Sequence, residues 1–186
     1  MFLFGHYLRV GFEHVIPLGY DHILFIISLF FFDSKLKTAV IQCSIFTVAH
    51  SLTLALVALS YLKFDTRLVE TVIALSIFFV AFENLFSSKL KAGRLCLVFI
   101  FGLLHGMGFA TALNEIGLPK NEFLTALVGF NCGVEVAQVV ILLVCYIMIA
   151  KWIRDKDWYS SMFVRPLSMG ISLVALFWAI ERYLSN

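Results

Sequence analysis

At 186 residues, 61% of them hydrophobic and only 14% charged, with a mean hydropathy of +0.96, the chain is too apolar for an ordinary soluble domain. Its net charge of +2 offers no electrostatic footprint for nucleic acid, and that class of partner is set aside. Apolar runs of about 20 residues, without the period-two alternation of an outer-membrane strand, predict an all-α integral membrane bundle in a lipid bilayer.

The chain begins Met1-Phe2-Leu3-Phe4, with neither a basic leader nor a small-residue cleavage motif, so the first membrane helix is expected to direct insertion. Residues 2–16 interleave apolar positions with Gly5, His6, Arg9, Glu13 and His14. That stretch is too short and too polar to span and reads as an interfacial or re-entrant helix, broken by Pro17 and Gly19. Crossings are expected over about residues 18–32, 38–62, 68–86, 95–116, 123–150 and 166–184, six in a single membrane domain covering 1–186. Asp21 can cap the first turn of the first crossing, and Gly117-Leu118-Pro119 stops the fourth. Cys43, Cys96, Cys132 and Cys145 lie in apolar runs without CxxC spacing, which favours packing over a disulfide framework or a thiolate zinc site.

Lys and Arg set the expected orientation. Loops one, three and five hold Lys35, Lys37, Lys89, Lys91, Arg94, Lys151, Arg154, Lys156 and Arg165, nine of the fourteen basic residues. The positive-inside bias then makes these loops cytoplasmic and puts both termini outside, in a bacterial inner membrane. Helical rise places His14, Asp21 and His22 towards the outer end, His50, His105 and Glu135 near the middle, and Glu83 and Asn84 at the cytoplasmic end.

Ionisable groups at membrane depth are costly and point to function. On the second crossing Cys43, Thr47, His50 and Ser51 share a face. On the fourth, His105 adjoins a stripe of Gly102, Gly106 and Ala110, and on the fifth Asn131, Glu135 and Gln138 share a polar face beside Gly129 and Gly133. Imidazoles with carboxylates suit zinc, nickel, cobalt, iron or copper(II) rather than magnesium or calcium. The expected ligands are His14, Asp21, His22, His50, His105 and Glu135. Asn131 and Gln138 would orient them, and Ser51, Ser76, Glu83 and Asn84 would extend a polar route.

Several motifs agree in order with one family. Gly11-Phe-Glu-His14, Gly19-Tyr-Asp21-His22-Ile-Leu-Phe, Phe46-Thr-Val-Ala-His50-Ser51, Ile73-Ala-Leu-Ser76, Glu83-Asn84-Leu, Phe101-Gly-Leu-Leu-His105-Gly-Met-Gly and Phe130-Asn131-Cys-Gly-Val-Glu135 resemble the HupE/UreJ family of small membrane proteins, and its second branch most closely. The resemblance covers about residues 11–140. It implies an accessory role to hydrogenase or urease through uptake of nickel or a related divalent metal, with His14, Asp21, His22 and His105-Gly106 as the matching motif residues.

Three functions fit the sequence. The first is binding and transport of a divalent transition metal, zinc or nickel foremost, through a His/Asp/Glu site open to the outer side. The second is an intramembrane metal-dependent hydrolase acting on a lipid or membrane peptide, with Glu135 or Asp21 as general base and Ser51 or Asn131 polarising the scissile carbonyl. The third is a scaffold without metal. A homo-oligomer is compatible with each.

Overall fold

The computed structural model describes residues 2–86, 92–116 and 120–185, all helix and connecting turn with no strand among them. Lys89, Lys91 and the helix stop expected at 117–119 lie outside the described residues. The chain is an all-α membrane bundle. Its helices are α1 (Phe2–Val15), α2 (Tyr20–Phe31), α3 (Leu36–Ala58), α4 (Thr66–Glu83), α5 (Ala92–Ile116), α6 (Phe123–Ile153) and α7 (Tyr159–Leu184).

By length and apolarity α3, α5 over Ala92–Phe109, α6 and α7 can each cross a bilayer, and α1 with α2 can do so as one span bent by 73°. Helix α4, expected as a crossing in its own right, carries Arg67, Glu70 and Glu83 within 18 residues and is less clearly apolar. Packing nevertheless makes it traverse the bundle. Arg94 of α5 meets Glu83 at one end of α4, and Gly108 of α5 faces Ile73 and Val69 near the other, so the two helices run antiparallel along their length.

Glycine sets the closest helix approaches. A β-carbon on Gly129 would sit 2.8 Å from the Phe4 carbonyl oxygen, and one on Gly11 or Gly133 would collide with the backbone of Phe130 or Leu8. The order of these meetings, Phe4 with Gly129 and Leu8 with Gly133, makes α1 run parallel to α6 and pressed against it. That differs from a helix lying in the membrane surface. The small and apolar positions of residues 2–16 give α1 a helix partner, and its bend into α2 makes the pair a broken span or a re-entrant segment, the second of the two readings expected.

The same device joins α3 to α5. A β-carbon on Gly102 would lie 2.6 Å from the Phe46 carbonyl oxygen, and Gly106 abuts the His50 carbonyl. Thr53 Oγ1 donates to the Leu103 carbonyl at 2.7 Å across this seam. Asp65 caps α4, accepting from the amides of Arg67 at 2.9 Å and Leu68 at 3.3 Å.

Helix α7 begins seven residues before the expected start at 166, through a π-helical turn at Tyr159–Val164. Pro166 explains the wide turn: it lacks an amide hydrogen and its ring crowds the preceding turn, so the ladder opens ahead of it instead of ending. Phe25, Phe30, Phe46 and Phe130 fill the interior, whereas Val48, Leu124, Met148 and Phe177 face outward. An apolar exterior around a packed, locally polar interior is the pattern lipid demands.

Candidate metal centre

Four helices each bring one imidazole into the same neighbourhood. His14 ends α1, His22 lies in the first turn of α2, His50 is on α3 and His105 is on α5. The break between α1 and α2 makes this meeting possible, because a continuous helix would place residues 14 and 22 more than two turns apart along one axis. Gly19 lets the turn fold back until it abuts the His14 carbonyl. The rings of His14 and His22 then lie 4.5 Å apart, His22 and His105 5.1 Å, His22 and His50 5.8 Å, and His14 and His50 5.9 Å.

One ring nitrogen from each of His14, His22 and His50 lies within 4.8 Å of the other two. An ion that takes imidazole nitrogens at about 2.0–2.1 Å holds two of them no more than about 4.2 Å apart, so small side-chain rotations would seat all three on one centre. His14 Nε2, His22 Nε2, both nitrogens of His50 and His105 Nδ1 are buried without a hydrogen-bond partner. Buried polar atoms are almost always satisfied, and the unpartnered nitrogens of His14, His22 and His50, lying together with that of His105 nearby, call for a shared ligand.

His105 is oriented by its neighbour. Ser76 Oγ on α4 donates to the Ile73 carbonyl at 2.6 Å and lies 3.0 Å from His105 Nε2. With its own hydrogen committed, the hydroxyl accepts Nε2–H, which leaves the Nδ1 lone pair directed elsewhere. Phe46 and Phe25 stand 5.0 and 5.1 Å from the His105 ring, and Phe109 stands 3.8 Å from that of His14. These aromatic walls keep water from the nitrogens on the packed side.

A cavity of about 570 Å³ reaches His14, His22 and His105 from the end of the bundle that carries Asp21, Glu70 and Arg182. Glu13, Asp21 and Glu70 line it with Arg182, among the apolar Val10, Leu18, Ile73 and Phe109. A cation entering there would meet acids first and imidazoles at the base.

The HupE / UreJ family model matches residues 1–182. The chain belongs to the HupE/UreJ family. Comparison with curated proteins and with solved structures gives no match.

The remaining polar residues of this HupE/UreJ protein fall into three other places. Asp21 lines the cavity beside His22, but both its carboxylate oxygens accept from Arg182, at 3.1 and 3.0 Å. Glu135 lies on a seam between α3 and α6, where Ser44 Oγ donates to it at 2.8 Å and Thr47 Oγ1 donates to Gln138 Oε1 at 3.1 Å. Asn131 donates to the Leu127 carbonyl at 2.8 Å, and Ser51 to the Thr47 carbonyl at 2.6 Å. Neither Asp21 nor Glu135 joins the three converging nitrogens.

Glu83 and Asn84 belong to a cluster at the opposite end from the cavity. Arg94, 3% exposed, donates to Glu83, to Gln42 Oε1 at 2.7 Å and to Asn84 Oδ1 at 3.5 Å, with its guanidinium 3.7 Å from the Phe32 ring centroid. Asn84 in turn donates to the Ser28 carbonyl at 2.8 Å. The cluster therefore ties α2, α3, α4 and α5 together and closes the bundle there.

Glu13, Glu70 and Arg182 were not singled out from the sequence as site residues. Glu70 invites pairing with nearby Arg67, yet no ion pair joins them among the described residues. Helical spacing gave the available signal, because Glu70, Ile73 and Ser76 are three apart and share the face that meets His105.

Proposed function

We propose that this chain is a metal permease: it takes a divalent transition metal ion from outside the bacterial cytoplasmic membrane onto His14, His22, His50 and His105 and releases it to the cytoplasm. The observation that carries the reading is the cluster of unpartnered ring nitrogens of His14, His22 and His50, reached by a cavity that His14, His22 and His105 line. Neutral imidazole favours nickel, cobalt, zinc or copper(II) over magnesium or calcium, and membership of the HupE/UreJ family favours nickel or cobalt among these.

Charge supports the direction. The cavity holds three acids and one arginine, whereas Lys35, Lys37, Arg94, Lys151, Arg154, Lys156 and Arg165 gather towards the opposite end. That distribution of Lys and Arg favours an orientation with the cavity outside and both termini with it. The Arg94 cluster is then the cytoplasmic closure, and ion release requires Glu83 and Asn84 to part from Arg94.

The hydrolase alternative has less support. Ser51 is committed to the Thr47 carbonyl and Glu135 to Ser44, and the other candidate base, Asp21, lies at the cavity but is held by Arg182.

The test is equilibrium dialysis of the purified full chain with nickel, cobalt and zinc, beside His22→Ala and His50→Ala. Tight binding in the wild type and its loss in both variants is the expected result. Equal metal content in all three proteins would overturn the reading.

A further inference from the structure

Two of the three acids that line the cavity already hold an arginine. Arg9 Nε donates to Glu13 at 2.7 Å, and Arg182 lies against Asp21. The second pair is the informative one, because Asp21 precedes His22 directly and lines the same cavity. A single guanidinium nitrogen, Nη2 of Arg182, serves both Asp21 oxygens, while Nη1 donates to the Glu70 carbonyl at 3.1 Å. One side chain thus links α7 to α2 and α4 at the cavity.

We propose that Arg182 is an affinity-setting residue that competes with the substrate cation for Asp21. The inference rests on the metal-permease reading. Asp21 is outside the group of three converging nitrogens but lines the cavity next to His22, where its carboxylate is a charge partner for a divalent ion on its way to them. In this structure that carboxylate is satisfied by a tethered cation instead. Both partners are about one quarter exposed, at 24% and 25% of their side-chain surface, on the wall of the cavity that a cation would enter. A divalent ion entering there can therefore take Asp21, and Arg182 returns to it when the ion leaves. Competition of this kind lowers resting affinity and hastens release, which a carrier needs and a storage site does not.

A purely structural strap would have the same geometry but different energetics. Removing a strap loosens the site and weakens binding. Removing a competitor strengthens it, and the gain depends on Asp21.

The experiment is isothermal titration calorimetry of the full chain in detergent with nickel and with zinc, comparing wild type, Arg182→Met, Arg182→Lys and the double variant Asp21→Asn with Arg182→Met. Arg182→Met is expected to bind about tenfold more tightly, within the usual span of coupled sites. Arg182→Lys keeps the charge without the planar fork and is expected to fall between it and wild type. The double variant is expected to lose the gain.

Affinity in Arg182→Met equal to or below that of wild type, or a gain that survives in the double variant, would overturn the competition. Arg182→Lys decides in the same way if Arg182→Met does not fold. A wild type that binds neither metal would remove the permease reading together with this inference. Tight wild-type binding left unchanged by Arg182→Met would remove this inference alone.

Discussion

The chemistry of the site turns on nitrogens that nothing else occupies. His50 has both ring nitrogens buried and unpartnered, so its side chain contributes little to the bundle that an apolar residue could not. His50→Leu is therefore expected to fold, with an unfolding temperature at or above that of wild type, and to lose tight metal binding; thermal denaturation and dialysis on one preparation check both. Ser76 touches the site through His105. Ser76→Ala frees the ring to turn and to change tautomer, and metal affinity is expected to fall by about 10- to 100-fold, the usual consequence of losing a ligand's supporting hydrogen bond. An unchanged affinity would show that His105 needs no such support.

The histidines were legible at this scale because an imidazole at membrane depth has few structural uses. Glu135 was harder to place. Its position in the chain gives its depth, but only the azimuth of α6 decides that it meets Ser44 rather than His50, and azimuth depends on how Gly129 and Gly133 dock against α1.

Among the elements, the broken pair of α1 and α2 matters most for the site. It sets His14 opposite His22, and the docking of α1 on α6 fixes it there. Gly133→Ala places a methyl group against the Leu8 carbonyl and the Phe12 amide. Overpacking of this kind costs about 1–3 kcal/mol, and here it also displaces His14. Lower thermal stability together with weaker metal binding is expected, whereas Gly5→Ala, which meets no neighbour, should change neither.

The bend and its breakers, Pro17 and Gly19, could be read from the sequence. The partner of α1 could not, because Gly5, Gly11 and the apolar positions of residues 2–16 suit a lipid interface as well as another helix. Helix α4 shows the converse. It was expected as a crossing despite its three charges, and two of these sit at its opposite ends, Glu83 on Arg94 and Glu70 at the cavity.

For the molecule as a whole, the cavity end is open and acidic while the opposite end is closed around a buried arginine. Breaking a buried ion pair from one side leaves a stranded charge, so Glu83→Gln is expected to destabilise the fold by about 3–5 kcal/mol. The double variant Glu83→Gln with Arg94→Met should recover much of that loss, because replacing both partners removes the stranded charge. Denaturant unfolding of the three proteins tests this, and equal losses in the single and double variants would contradict it.

The central claim is that imidazoles from at least three helices, those of His14, His22 and His50, share one divalent transition metal ion. X-ray absorption spectroscopy of the nickel- or zinc-loaded full chain tests it most directly. The expected spectrum has three or four imidazole nitrogens at about 2.0–2.1 Å, with their characteristic outer-ring scattering. A shell of oxygen alone, with no imidazole scattering, would contradict it.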